Sequence, residues 1–336
     1  MQLVINSAGT YITQKDGLFR LKNKERRFDV SPQKIESIVI SNQAMITTQA
    51  IVAALENNID IIFLDGYGNP IGRVWFARMG STALIRRKQL EVAEKEIGLE
   101  LVTDMIRQKI KNQADFLKKL MYSRPGKENL FENPIKIIDN ALSGLSIHDR
   151  TIEDARNSIM GFEGTAGRAY FQCLSKLMPE KYIFKGRSRR PARDPFNAVL
   201  NYCYGILYSR IEKACILAGL EPYVGFLHTD TYNKKSMVFD LIEPFSIFAE
   251  QTAVYLFTGK KIKDEYFCAT DNAVSLNDKG KPVVVDAINL QMEETVRYKR
   301  KNVKRKHIPQ HEAHRLANIL LSDESEKRPE WLEIME

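Results

Sequence analysis

The chain has 336 residues, 44% hydrophobic and 27% charged, and its 50 Lys and Arg against 42 Asp and Glu leave a net charge of +8. That balance excludes a disordered or fibrous chain, allows about two domains, and favours a polyanionic partner. The longest apolar runs, such as IDIIFL at 59–64, are far short of the roughly 20 residues that cross a bilayer. Cys173, Cys203, Cys215 and Cys268 form no C-x-x-C pair and no zinc-ligand spacing, so they read as reduced thiols of a cytoplasmic protein. The first residues, MQLVINSAGT, lack the basic start and apolar core of a signal peptide.

Residues 1–80 read mainly as strands. TYIT and LFRL flank Lys15-Asp16-Gly17, and an Asp-Gly step supplies the positive φ of a tight hairpin. Strands are expected again at ESIVIS, IDIIFLD and GRVWFA, with a helix over Thr47–Asn58 between them and a threonine available to cap it. From about residue 82 the period changes. Leu99, Val102, Ile106, Ile110, Leu117 and Leu120 follow a helical repeat, which predicts one long helix opening a second domain. RPGKENLFENP at 124–134 reads as a loop with two prolines. The clearest helix follows Asp194 as cap and Pro195 at its first position, with Gly219 as its stop. Cys203 and Cys215 fall on its apolar stripe and read as packing residues. The last thirty or so residues, rich in Lys, Glu and Arg, read as a peripheral helix or a frayed tail. The fold class is therefore α+β: a β-rich domain at 1–80, a helical domain at 81–295 and a charged tail at 296–336.

Three stretches could carry chemistry. GFEGTAGRAYF at 161–171 sets Glu163 among Gly161, Gly164 and Gly167. Two readings stand side by side: a loop or helix start with an exposed acid, or a helix whose small-residue face lets another element approach closely. No phosphate-binding loop pattern is present. The second stretch, VGFLHTDTYNKKSMVFDLIEPF at 224–245, places His228 after an apolar run and sets Asp240 and Glu243 three apart, so their carboxylates can face one space on a single turn. Pro244 restricts that turn to a helix start. Acids there are ordinarily caps, yet two carboxylates in an apolar run after a histidine also suit a cation that offsets their burial. Such a set fits Mg²⁺ or Mn²⁺. The third stretch, KGRSRRPARDP at 185–195, is a solvated loop or a phosphate grip rich in guanidinium. A further run, RYKRKNVKRK at 297–306, carries seven bases in ten residues.

Taken in order, GFEGTAGRAYF, RSRRPARDPFNAVLNYCYGIL, GFLHTD and MVFDLIEPF resemble the CRISPR-associated adaptation integrase and endonuclease family, the first Cas protein. The resemblance implies an N-terminal β domain that forms a homodimer and an all-helical C-terminal domain holding Mg²⁺ or Mn²⁺. It implies Glu163, His228 and Glu243 as metal ligands, with Asp240 as a neighbouring catalytic acid. Arg187, Arg189, Arg190 and Arg193, with Lys234 and Lys235, are expected to grip double-stranded or branched DNA. The implied partner is the second Cas protein, a small ferredoxin-like subunit. The implied reaction inserts short DNA fragments into a CRISPR repeat array by 3′-hydroxyl attack on a phosphodiester. This chain has Ser246 where many relatives carry a base after EPF. A divalent-metal nuclease without integration, or a non-catalytic DNA-binding protein, are the alternatives.

Overall fold

The computed structural model describes residues 2–24, 26–65, 70–74, 83–145, 152–227, 234–299, 301–322 and 334–335. The N-terminal part is built from β1 (Gln2–Ile5), β2 (Thr10–Lys15), β3 (Leu18–Lys22), β4 (Arg27–Val30), β5 (Ser37–Ile40), β6 (Ala44–Ile46), α1 (Thr48–Glu56), β7 (Asp60–Leu64) and β8 (Pro70–Val74). They form two four-stranded sheets, ordered β1-β5-β7-β8 and β4-β3-β2-β6. The β2–β3 hairpin turns through Asp16 and Gly17, at φ 52 and 76, as a two-residue turn of matching twist requires. Thr47 caps α1, its side chain accepting from Ala50 N at 3.2 Å. β5 runs parallel to β1 and β7 and is buried along its whole length. A parallel strand covered on both faces reads as an unbroken apolar run. Ile38 and Ile40 face a core with Ile12, Phe19, Ala50 and Ile61, while Val39 faces Ile62 and Leu64 on the other side.

The rest of the chain carries α2 (Ala83–Ala93), α3 (Glu96–Tyr122), α4 (Asn129–Ser143), α5 (Ile152–Leu177), α6 (Pro195–Leu217), α7 (Ser236–Ile242), α8 (Ser246–Thr258), β9 (Phe267–Thr270), β10 (Ala273–Leu276), α9 (Gly280–Glu293), β11 (Thr295–Tyr298), β12 (Lys301–Lys304) and α10 (Ile308–Leu321). One apolar core extends from Val92 to Leu320 through these elements. α6 begins as its sequence announces: Asp194 accepts from Asn197 N at 2.8 Å, Pro195 follows, and Gly219 stands at φ 82 past the end. Cys203 and Cys215 are buried in this core.

Four expectations are corrected. The single helix from residue 82 is two, because the chain folds back at Glu94 and Lys95; a Cβ on Gly98 would stand 2.4 Å from Val92 O. Half of the expected loop at 124–134 is helix, with Pro134 inside α4. The C-terminal part is not all-helical, since β9–β10 and β11–β12 form antiparallel hairpins between helices. Of the two readings of the C-terminal stretch, helix or frayed tail, residues 308–321 are the helix, but not a peripheral one: Ile308, Ala313, Leu316 and Leu320 of α10 are buried in the main core. Composition hid this because charged runs flank α10 on both sides, while the helix itself holds only the charges of Glu312 and Arg315 among its 14 residues.

Buried charges join the two parts. Asp60 on β7 takes Arg73 of β8 at 2.6 Å and Lys213 of α6 at 2.8 Å. Glu212, also buried, takes Lys235 at 2.6 Å and Arg73 at 3.5 Å. A buried acid left without such partners would be strongly destabilising. Among the described residues no helix is long and apolar enough to cross a membrane.

Candidate active site

Glu163 lies on α5 and Glu243 in the short 3-10 turn Glu243–Phe245 between α7 and α8. Pro244 makes that turn: lacking an N–H, it cannot continue α7, and the chain tightens before α8 starts. Asn112 on α3 donates to Pro244 O at 2.8 Å, which satisfies the carbonyl and fixes the turn against α3. The same helix supplies Lys109, whose Nζ lies 2.5 Å from Glu163 Oε1 and 2.6 Å from Glu243 Oε2. Two acids 80 positions apart thus converge on one positive point. Their side chains are 23% and 12% exposed and that of Lys109 is 9% exposed, so the point is nearly closed on the protein side and open toward solvent at the acids. Burial alone would lower the Lys109 pKa, but Glu243 and Glu163 together raise it above its ordinary value. The ammonium is therefore charged, and it fills the place a small hard cation would take between two carboxylates.

Asp240 binds backbone. Its Oδ2 accepts from Phe226 N at 2.6 Å and Leu227 N at 3.1 Å. Glu243 follows Asp240 by one helical turn, its N–H donating to Asp240 O, and the two carboxylates have different partners among those described: Lys109 for Glu243 and backbone amides for Asp240. Gly225 permits the contact, since a Cβ there would stand 2.6 Å from Ser236 Cβ and 2.9 Å from Asp240 Oδ2. Arg156 of α5 holds the same segment, donating to Phe226 O at 3.2 Å. The chain is thus anchored immediately before His228, which lies outside the described residues. Among the described residues, no third His, Cys, Asp or Glu joins Glu163 and Glu243 in a cluster able to hold a metal.

The glycines around Glu163 do not seat another element. Among the described residues nothing stands within 4 Å of a Cβ placed at Gly161 or Gly167, and at Gly164 only Arg168 Nη1 does, at 3.7 Å. GFEGTAGRAYF is helix throughout, with its small residues leaving the surface beside Glu163 bare.

The loop at 185–194 is pinned to the start of α6. Asn197 accepts from Ser188 N at 3.0 Å and donates to Gly186 O at 2.9 Å, and Asn201 donates to Arg189 O at 2.7 Å. Arg189, Arg190 and Arg193 are exposed on it. Arg187 turns inward instead: it donates to Asn197 Oδ1 at 2.9 Å and lies over the Tyr204 ring at 5.4 Å. Burial lowers its pKa to about 10, still cationic at neutral pH. Lys234 lies over Phe239 at 5.3 Å, and Lys235 is engaged by Glu212. The basic run at 297–306 is largely neutralised within the fold: Lys299 meets Glu312, Lys304 and Lys306 meet Glu293, Lys306 meets Glu36 and Arg305 meets Glu294.

Sequence reasoning missed Lys109 and the buried acid Glu250 of α8. Their signal is a charge at an apolar position: Lys109 lies seven residues after Val102 on the α3 stripe, and Glu250 interrupts SIFAEQTAVYLF.

Residues 3–289 match the family model described as CRISPR associated protein Cas1. The chain belongs to the Cas1 family. A CRISPR-associated endonuclease Cas1 of Archaeoglobus fulgidus is 32% identical over 90% of this chain and 91% of its own length. A Cas1 protein of Methanobrevibacter ruminantium is 29% identical over 82% and 84%. In structure, a Cas1 protein from Thermotoga maritima is similar at TM-score 0.81 and 19% identity, over 97% of this chain and all of that one. A casposase bound to integration product is similar at TM-score 0.85 and 23% identity, over 100% and 95%. The Cas1 portion of a Cas6-RT-Cas1–Cas2 complex, 36% of that chain, gives 0.81 at 21% identity. The strands followed by helices described above are thus the Cas1 fold.

Proposed function

We propose that this chain is a divalent-metal-dependent DNA endonuclease and integrase that inserts short DNA fragments into a CRISPR repeat array. The observation that carries the reading is the convergence of Glu163 and Glu243 on one cationic point at 2.5 and 2.6 Å. Carboxylate oxygens around a small positive centre fit Mg²⁺ or Mn²⁺, with His228 as the proposed third ligand. When bound, such an ion polarises the scissile phosphodiester and stabilises the charge that develops on it.

The chain's own residues do the rest. Glu163 and Glu243 supply the negative charge that holds the ion, and Asp240 acts as a positioning residue by tying Phe226 and Leu227 ahead of His228. Arg189, Arg190 and Arg193, exposed on their loop, would take DNA phosphates. In the reaction, the oxygen of a 3′-hydroxyl forms a bond to phosphorus as the bond to the leaving 3′-oxygen breaks. The proton passes from the attacking to the leaving oxygen through solvent. One phosphodiester replaces another, so no energy-rich co-substrate is consumed. The casposase of similar fold is bound to integration product, which supports strand transfer as the reaction. The complex containing Cas1 and Cas2 supports the second Cas protein as partner, with the β-rich part forming a homodimer.

A strand-transfer assay with matched 3′-hydroxyl and 3′-deoxy ends tests the reading. Joined product from the hydroxyl end alone is expected. Cleavage without any joining would leave a nuclease, and Glu163→Gln or Glu243→Gln at full rate would remove the site altogether.

A further inference from the structure

Near the two converging acids lies a third carboxylate. Glu250 of α8 is fully buried, and its Oε1 accepts from Tyr204 at 2.8 Å and from Gln113 at 3.4 Å. Its Oε2 has no hydrogen bond of regular geometry, although it too is shut off from water, and the buried Tyr170 hydroxyl interacts with the same carboxylate. An unpaired buried carboxylate oxygen is costly. Gln113 and Lys109 are four residues apart on α3, so they project from one face of that helix. The residue that reaches Glu250 and the residue that fills the space between Glu163 and Glu243 are therefore neighbours, one turn apart.

We propose that Lys109 is a resident counterion that a divalent ion must displace, and that Glu250 is the seat to which its ammonium moves. The inference rests on the metal reading above and extends it to this chain's own residues. In the free protein the ammonium keeps Glu163 and Glu243 together in their binding arrangement. Without it, two adjacent carboxylates would repel. When the ion enters, three positive charges at one point are untenable, and the flexible four-carbon stem of lysine lets the head swing one turn along α3. There it meets the second oxygen of Glu250, which lacks a regular hydrogen bond. Affinity for the ion is then reduced by the fraction of molecules in which Lys109 still occupies the site.

The test is Mn²⁺ binding to the full chain, with free Mn²⁺ read by electron paramagnetic resonance, alongside melting temperatures in EDTA and in Mn²⁺. Lys109→Met should bind Mn²⁺ about tenfold or more tighter than wild type, melt lower in EDTA and gain more from added Mn²⁺. Lys109→Arg, which keeps the charge, should bind no tighter than wild type. Glu250→Gln should weaken Mn²⁺ binding about fivefold by removing the seat, and should have less than about a twofold effect once Lys109 is already Met. Glu163→Gln separates the two ideas. Undiminished Mn²⁺ binding in that variant would sink the metal site itself. Lost binding there, together with Lys109→Met binding no tighter than wild type, would overturn the counterion role while the site stands. A Lys109→Met chain that stays unfolded even in saturating Mn²⁺ would overturn it as well, because the ion should replace the missing charge.

Discussion

Asp240 Oδ2 accepts from Phe226 N at 2.6 Å across 14 residues of chain, and the adjoining Leu227 N shares the same oxygen. Asp240→Ala leaves both buried amides without an acceptor and should cost about 2 kcal/mol or more. Denaturant unfolding gives the loss, and amide exchange at Phe226 and Leu227 locates it. Protection at those two amides equal to wild type would contradict the anchoring role.

Glycine substitutions should split by position. Gly161→Ala and Gly167→Ala meet nothing within 4 Å, so each should raise stability by up to about 1 kcal/mol through helix propensity. Gly225→Ala must push against Ser236 and Asp240 and should lose about 1 to 3 kcal/mol. Thermal melts of the three variants make the comparison, and a destabilised Gly161→Ala would restore a close neighbour to that face.

Glu163→Gln and Glu243→Gln should lower strand transfer about 10²-fold or more while DNA affinity stays near wild type, because that affinity is mainly electrostatic. Gel-shift titration beside the transfer assay reads both quantities from one preparation.

On the proposed function, the bases should divide into DNA contacts and fold contacts. Arg189→Glu or Arg193→Glu should weaken DNA binding most at low salt and flatten the log–log salt slope by about 0.9 per lost phosphate contact. Lys235→Ala should instead show in stability, since it strips a partner from buried Glu212. Equal salt slopes for Arg189→Glu and wild type would take that residue off the DNA path.

Acid should loosen the β11–β12 hairpin. Hydrogen bonds from Lys304 and Lys306 hold the Glu293 carboxyl down to about 2, against an ordinary value of 4.5. A depressed carboxyl contributes its stability above pH 4.5 and loses it as pH falls toward 2. The group is 41% exposed, so solvent screens the pairs and the contribution is small. Melts between pH 5 and pH 3 should fall less steeply for Glu293→Gln than for wild type, and the difference should shrink in high salt.

What could be read in the chain was local. The Asp16-Gly17 turn, the Thr47 cap and the Asp194-Pro195 start of α6 are each decided within a few residues, and each stands in the structure. Contacts between distant residues were not legible. Lys109 reads as one more charge on an amphipathic helix until Glu163, 54 residues on, is seen to meet it. The run at 297–306 reads as a DNA-binding patch until Glu36, Glu293 and Glu312 are placed beside it. The partners of Asp240, the amides of Phe226 and Leu227, lie 14 and 13 residues away and are likewise not encoded in its spacing from Glu243.

The bare strip on α5 also sets the order in which the protein fails on warming. Three glycines at 161, 164 and 167 cost that helix about 3 kcal/mol relative to alanine, a sizeable share of the roughly 5 to 15 kcal/mol that holds a whole domain together. α5 is therefore a helix made by its neighbours, through Ala166, Ala169, Tyr170 and Leu174 packed into the core. As heat relaxes that packing, the segment carrying Glu163 loosens ahead of α3 and α6. On the proposed function, activity would then decline at temperatures where most helices are still intact.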